Sequence, residues 1–125
     1  MMEEGRPIFV QIAESIEASI VDGSLSEEER APSINELAAF HRINPATAAK
    51  GVNQLVDDGV LYKRRGVGMF VADGARARLL ARRTQDFAAA YVDPLLTEAR
   101  RLGLGPQDVA DIIAERSATT RKEPS

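Results

Sequence analysis

Apolar residues recur every three or four positions along the start of the chain, which is the spacing of one buried helix face. Pro7 suits the first turn of such a helix, and Asp22-Gly23-Ser24 ends it. The pattern predicts a first helix over residues 7–21, followed by a solvated connector over residues 26–30. The inward residues of this helix are predicted to be Phe9, Ile12, Ala13, Ile16 and Ile20.

Two short helices follow. Ser33 and Glu36 have the spacing of a capping box, in which each side chain accepts a hydrogen bond from the other residue's backbone amide. This helix ends near Phe40, and Asn44 and Pro45 then act as the N-cap and first residue of the next. The four-residue connection predicts a helix-turn-helix. The inward residues of its second helix are predicted to be Ala48, Val52 and Leu55.

Two segments with strand character, 60–63 and 69–72, flank a turn that contains two glycines. Lys63, Arg64 and Arg65 are consecutive cations beside this turn, and packing in a core does not explain them. A nucleic-acid duplex offers phosphates within reach of such a hairpin. The predicted fold is therefore mainly α with a small β-hairpin, as a winged helix-turn-helix followed by a short two-helix C-terminal element.

A further helical pattern begins after Gly74, is kinked or restarted at Asp93-Pro94, and is followed by a short helix from Pro106. These helices carry more apolar surface than so short a segment can cover, so the expected partner is a second copy of the chain. The predicted domains are a winged helix over 1–72, a dimerisation element over 73–117 and a flexible tail over 118–125. The predicted dimerisation residues are Leu79, Leu80, Phe87, Tyr91, Leu95, Ile112 and Ile113.

The formal net charge of −3 is unevenly distributed. Residues 1–36 hold two basic and nine acidic residues, a balance of −7, whereas residues 37–72 hold five basic and two acidic residues, a balance of +3. The remaining residues, with nine basic and eight acidic side chains, have a balance of +1. The basic part therefore coincides with the predicted helix-turn-helix and hairpin, which favours double-stranded DNA as a partner.

Several other classes of protein are excluded by composition. The chain has no cysteine and one histidine, so disulfides, thiolate zinc sites and cysteine nucleophiles are absent. His41 is interpreted as a structural turn residue, and the run Glu27-Glu28-Glu29 as a solvated turn, because it lacks the ligand spacing of a calcium loop. With no catalytic motif, no enzyme, metal or cofactor is expected. The acidic N-terminus and the lack of a long apolar run predict a cytoplasmic protein that does not span a membrane.

Four motifs occur in a fixed order: Pro7-Ile8-x-x-Gln11-Ile12, Arg30-x-Pro32-Ser33-x-x-Glu36-Leu37-Ala38, Ile43-Asn44-Pro45-x-Thr47, and Gly59-x-Leu61 leading to Arg64-Arg65-Gly66-x-Gly68-x-Phe70-Val71. This order and spacing resemble the GntR superfamily of bacterial transcription regulators, and within it the short YtrA-like subfamily. Residues 98–103 are similar to the subfamily's short dimerisation tail.

The resemblance implies a homodimeric regulator, usually a repressor, that binds a pseudo-palindromic operator with half-sites about one helical turn apart. Three positions depart from the family pattern. Asn35 replaces an arginine that usually contacts DNA, Arg42 replaces a glycine of the turn, and Gly51 replaces an alanine of the recognition helix. The DNA-binding residues implied by position are Ser33, Asn35, Asn44, Ala46, Thr47, Lys50, Arg64, Arg65 and Gly66.

An alternative function stays open, because winged helices also bind proteins. One continuous positive face joining Lys50 to Arg64 and Arg65 across a dimer would favour DNA over this protein-interaction module. About fifty residues follow the hairpin, too few for a dedicated ligand domain. Any small-molecule effector, its identity unknown, is expected at the dimer interface or beside the wing.

Overall fold

The computed structural model describes residues 5–122 and confirms a mainly helical chain with one antiparallel hairpin. The chain forms two compact units, Met1–Arg82 and Arg83–Ser125. The elements follow one another as α1 (Ile8–Val21), α2 (Ile34–His41), α3 (Pro45–Asp57), β1 (Leu61–Arg64), β2 (Gly68–Val71), α4 (Ala75–Phe87), a π-helical segment (Ala88–Val92), α5 (Asp93–Arg101) and α6 (Pro106–Lys122).

The core of the first unit is built from the predicted apolar stripes. α1 buries four of its five predicted inward residues, and only Phe9 is half-exposed. Pro7 is the N-cap of α1 rather than a residue of its first turn. α3 buries its whole predicted stripe, so the two helices enclose the centre of the unit. The fully buried residues of α3 are Ala48, Val52 and Leu55.

The capping signals of the helix-turn-helix are confirmed. The Glu36 amide donates to Ser33 Oγ at 3.0 Å, and the Ser33 amide donates to the Glu36 carboxylate at 2.8 Å. Hydrogen bonds to the Glu36 carboxylate, first from the Ser33 amide and then from the Ser33 side chain, lower the pKa of Glu36. Asn44 is the N-cap of α3, and Pro45 is its first residue.

Both strands of the hairpin are shifted by one residue toward the turn, compared with the strands that the sequence predicts. Leu61 pairs with Val71 and Arg64 pairs with Gly68, so both strands extend into the segment that was predicted as turn. The Val67 amide donates to the Arg64 carbonyl at 2.9 Å and closes the turn. The tip therefore contains residues 65–67 only.

The connector over residues 26–30 is largely exposed, as predicted, but its backbone pairs with β2, which the sequence did not indicate. The Glu28 amide donates to the Val71 carbonyl at 2.8 Å, and the Val71 amide donates to the Glu29 carbonyl at 3.0 Å. Arg30 forms a β-bridge with Phe70. This segment thus covers the edge of β2 that would otherwise leave backbone groups unpaired.

The acidic run forms a turn whose residues Glu28 and Glu29 are exposed, as predicted, but its carboxylates are also bonded within the chain. Glu27 accepts hydrogen bonds from the amides of Gly74 at 2.9 Å and Arg76 at 3.2 Å, and these bonds lower its pKa. Glu28 accepts a hydrogen bond from the Tyr62 hydroxyl, which raises the pKa of Tyr62. The Ser26 amide donates to the Glu29 carboxylate at 2.8 Å. Glu27 therefore caps the start of α4 across 47 residues of sequence.

The first unit extends ten residues beyond the predicted domain end, because α4 contributes to its core. Ala75 is fully buried and Leu79 is 1% exposed, both within the same cluster as α1 and α3. Arg82 pairs with the buried carboxylate of Glu17 at 2.5 Å. Leu79 is therefore a core residue, and its assignment to the dimerisation surface was wrong.

The described part of the second unit is helical except for the connection over residues 102–105. The π-helical segment continues directly into α5, whose first turn contains Pro94. Val92 and Asp93 both have right-handed helical dihedrals and no side chain caps α5, so the helix does not restart from an aspartate cap as one of the two predicted outcomes had it. α6 begins after a hydrogen bond from the Gly105 amide to the Asp108 carboxylate at 2.8 Å. The predicted last helix is short and is followed by a flexible tail, whereas α6 continues to Lys122. Residues 123–125 of that tail lie outside the described residues.

Gly51 lies at a close approach between α3 and α1. A Cβ atom added there would lie 2.7 Å from the Phe9 carbonyl oxygen and 3.2 Å from Ile12 Cβ. The closest of these atoms belongs to the backbone and cannot rotate away. The glycine that departs from the family pattern thus permits this helix contact.

We expect Gly51→Ala to lower the free energy of unfolding by about 1–3 kcal/mol through overpacking. Helix propensity alone favours alanine by about 1 kcal/mol and therefore predicts the opposite sign. Urea denaturation at one protein concentration measures the difference. Asn53→Ala, on the exposed side of α3, is the matched control and should gain about 0.5 kcal/mol. A Gly51→Ala protein more stable than the parent would contradict the close contact.

Candidate nucleic-acid interface

At the N-terminus of α3, the groups that can donate hydrogen bonds to a ligand belong to side chains, because the first backbone amides are already bonded. The Ala46 amide donates to Asn44 Oδ1 at 2.7 Å, and the Thr47 amide donates to the Asn44 carbonyl at 3.0 Å. Both amides are therefore already bonded within the chain. Because the cap uses only Oδ1 of Asn44, its Nδ2 group keeps two hydrogens to donate outward.

The outer side of α3 is exposed and carries mostly short side chains. Asn44, Ala46 and Lys50 are exposed, and Thr47 is half-buried. The Lys50 ammonium lies 4.2 Å from the centroid of the Phe9 ring on α1. This cation–π contact fixes the direction of the side chain while leaving the ammonium hydrogens accessible.

The turn before α3 contains the second departure from the family pattern. Arg42 has φ 57° and ψ 50°, a left-handed conformation, and its amide donates to the Ala38 carbonyl. This conformation costs a residue other than glycine on the order of 1 kcal/mol. Its exposed side chain adds a cation two residues before the N-cap of α3.

Residues at the start of α2 also face solvent. Asn35 is exposed and Ser33 is half-buried. The Ser33 oxygen accepts a hydrogen bond from the Glu36 amide, and the Ser33 hydroxyl also helps to lower the pKa of the Glu36 carboxylate. The neutral amide of Asn35 adds a donor but no positive charge.

The tip of the hairpin is cationic and narrow. Lys63, Arg64 and Arg65 are exposed, and the Arg64 guanidinium carbon lies 4.8 Å from the centroid of the Phe70 ring. Gly66 has φ 76°, a conformation that the turn requires and that L side chains rarely adopt. The tip thus projects basic side chains from a short, backbone-dominated turn.

Sequence analysis missed Arg30 as a member of this surface. A Cβ atom at Gly68 would lie 2.9 Å from Arg30 Nε, so the guanidinium lies against the base of the wing. Pairing of residues 28–31 with β2 brings it there, and that pairing was not predicted. Two residues in the sequence could have indicated this contact: Arg30 in the second motif and Gly68, the second glycine of the hairpin.

Positive charge on these elements is not neutralised within the part of the chain that the structure describes. Across residues 5–122, none of the five predicted cations of the basic segment forms an ion pair. Several acidic groups of the first segment, by contrast, are used internally, as with Glu17 and Glu27. An external polyanion can therefore bind the basic surface without displacing internal partners. The five cations are Arg42, Lys50, Lys63, Arg64 and Arg65.

The remaining predicted dimerisation residues are exposed. Tyr91 is 68% exposed and Phe87 is 57% exposed, with ring centroids 5.5 Å apart. Leu102 is also exposed and was missing from the prediction. Within the second unit, α5 and α6 line an apolar groove of about 230 Å³. The predicted residues that are exposed are Leu80, Phe87, Tyr91, Leu95, Ile112 and Ile113.

The described residues contain neither a metal-binding cluster nor a membrane-spanning helix. No three histidine, cysteine, aspartate or glutamate side chains lie together so that they could hold a metal ion. No helix in residues 5–122 combines the length and the apolar character that crossing a membrane requires. His41 is the last residue of α2, where it is half-buried with its ring edge against Phe40.

Comparisons with known proteins agree with this geometry. The family of bacterial regulatory proteins named gntR matches residues 9–71. The HTH-type transcriptional repressor YtrA of Bacillus subtilis is 24% identical over 115 residues, which cover 92% of this chain and 88% of the repressor. A GntR-family transcriptional regulator from Bacteroides thetaiotaomicron has a crystal structure that superposes with a TM-score of 0.73 at 29% identity, covering 90% of this chain and 98% of the other.

A DNA complex is also among the similar structures. The DNA-binding domain of AraR, solved with operator ORX1, has a TM-score of 0.53 and 32% identity. The match covers 58% of this chain and 87% of that domain. The fold that carries the basic surface is therefore one that binds operator DNA in another protein.

Proposed function

The chain belongs to the gntR family of bacterial regulatory proteins, and from this premise we propose that it is a homodimeric transcription repressor of a pseudo-palindromic operator. The matched family and relatives are transcription regulators rather than enzymes. The observation that carries the proposal is the set of cations without ion pairs on the helix-turn-helix and wing of the described chain. Such cations release counterions from DNA when they bind its phosphates.

The proposed reading element is α3, which enters the major groove with its N-terminal residues. Asn44 Nδ2 and the Lys50 ammonium are the donors that suit base edges there, while Ala46 and Thr47 permit close approach. In the proposal, the Ser33 hydroxyl binds a phosphate and Asn35 provides a neutral contact. Arg64, Arg65 and Gly66 form the wing contact with the minor groove and adjacent phosphates.

The proposed dimer uses the exposed apolar surface of the second unit. Ile112 and Ile113 on α6, together with Tyr91, would bury their side chains against a second copy. Two equivalent reading helices then require two inverted half-sites, about one helical turn apart. Repression follows if the bound dimer occupies DNA needed by the transcription machinery. Because its target is the chromosome, the proposal implies a cytoplasmic protein.

We expect Arg64→Ala with Arg65→Ala to weaken binding to all duplexes and to reduce the slope of log K against log salt by about two per protomer. Lys50→Ala should instead weaken binding to the preferred duplex about tenfold or more and change non-specific binding little. Fluorescence anisotropy over a salt series measures both effects.

Arg100→Ala with Arg101→Ala removes the same charge from exposed positions on α5. Because these positions lie within the segment that resembles the dimerisation tail, the variant serves as the matched control once sedimentation shows that it keeps the parent's mass. It should bind like the parent at every salt concentration. Equal losses in the two double variants would show that net charge, rather than the wing, accounts for the binding. A parent protein that binds no duplex would favour the protein-interaction alternative.

We expect Ile112→Glu with Ile113→Glu to convert the dimer into a monomer, because two carboxylates would have to be buried at the interface. Sedimentation equilibrium should give twice the 13.6 kDa chain mass for the parent and the single mass for the variant. Ala114→Glu with Ala118→Glu adds the same charge to the opposite side of α6 and should remain dimeric. A dimeric Ile112/Ile113 variant would rule out this surface.

A further inference from the structure

A groove in the first unit has no place in DNA binding or in the proposed dimer. Its volume is about 560 Å³, and its walls are α1 and α2. The apolar floor is formed by Ile16, Leu25 and Leu37, all buried. This volume lies in the range of small-molecule sites, roughly 300–1,000 Å³.

Most polar groups that line the groove are hydrogen-bond acceptors. Ser15, Ser19 and Ser24 each donate their hydroxyl hydrogen to a backbone carbonyl, at 2.8, 3.2 and 3.2 Å respectively. Their hydroxyl oxygens therefore keep lone pairs but have no hydrogen left to donate. Glu36 also lines the groove; one oxygen of its carboxylate accepts a hydrogen bond from the Ser33 amide, and the pKa of this carboxylate is lowered, so it is ionised near neutral pH.

The charge of the lining is correspondingly one-sided. Its residues, all within the described chain, include no lysine and no arginine. Glu36 is the acidic member, and His41 is the other titratable member. A ligand with a positive amino group would find acceptors and a carboxylate, whereas an anionic ligand would find few donors.

An aromatic wall completes the groove. Phe40 is 82% exposed although its ring lies at the rim, with its centroid 4.9 Å from that of His41 in an edge-to-face arrangement. So exposed an aromatic side chain contributes little to the core. It offers a surface on which a flat ring can stack or over which a cation can lie.

We propose that this groove is a binding site for a small molecule that has a flat aromatic body and a cationic amino group. The aromatic body packs between the apolar floor and Phe40. The ammonium hydrogens bond to serine oxygens and to the Glu36 carboxylate. Binding at this site does not depend on DNA, so it can be measured on the protein alone.

The position of the groove gives an occupant a route to the helix-turn-helix, a consequence that rests on the proposed DNA function. α2 forms one wall of the groove and packs against α3 with its other side. His41 directly precedes Arg42, the left-handed residue of the turn. A ligand that moves the last turn of α2 therefore moves the start of the reading helix.

Tryptamine and indole-3-propionate test the proposal, because they share an indole ring and a two-carbon chain but carry opposite charges. We expect tryptamine to shift amide NMR signals of the groove residues in the full chain, with a Kd of about 1 mM or below. Indole-3-propionate should bind at least tenfold more weakly. Equal binding of the two compounds, or no shifts at about 10 mM, would overturn the proposal.

Variants separate this site from other surfaces. Ser15→Leu fills the groove and should weaken tryptamine binding at least tenfold, while Ala18→Leu adds the same side chain outside the lining and should have no effect. Glu36→Gln keeps a capping side chain, removes the charge, and should weaken tryptamine binding several-fold without weakening indole-3-propionate. Shifts outside the groove, or groove signals that change with protein concentration alone, would show another site or a second copy there and overturn the proposal.

Discussion

The close contact between the backbones of α1 and α3 at Gly51 determines how the first unit is arranged. Because no side chain separates the helices there, their apolar stripes merge into one core that also takes in the strands and the start of α4. The same contact brings Phe9 beneath Lys50. The direction of the Lys50 side chain, which is proposed to read DNA, thus depends on the absence of a side chain at Gly51.

Local signals predicted much of this structure. The capping box of Ser33 and Glu36, the Asn44–Pro45 helix start and the glycine-rich hairpin are determined by residues a few positions apart, and the structure contains each of them. The errors concern contacts between distant residues. Glu27 caps α4 across 47 positions and Leu79 joins a core formed mainly by earlier elements, which no local period can indicate.

In the candidate site, too, local features could be predicted from the sequence and contacts between distant residues could not. The exposed cations of the wing and α3 could be identified from residue type and order, whereas Arg30 could be assigned only after residues 28–31 were found to pair with β2. The acidic first segment also acquires a physical role. Glu17, Glu27 and Glu36 stabilise α1–α4 contacts and helix ends, so part of the negative charge that masks the basic region in the chain total is structural.

We propose that two copies of this helix-turn-helix and wing read DNA together. Selection of duplexes from a random pool by the purified 125-residue chain tests this joint reading. We expect enrichment of an inverted repeat whose half-sites lie about one helical turn, roughly 10 base pairs, apart. A pool without any enriched sequence, or one enriched only in a single half-site, would contradict it.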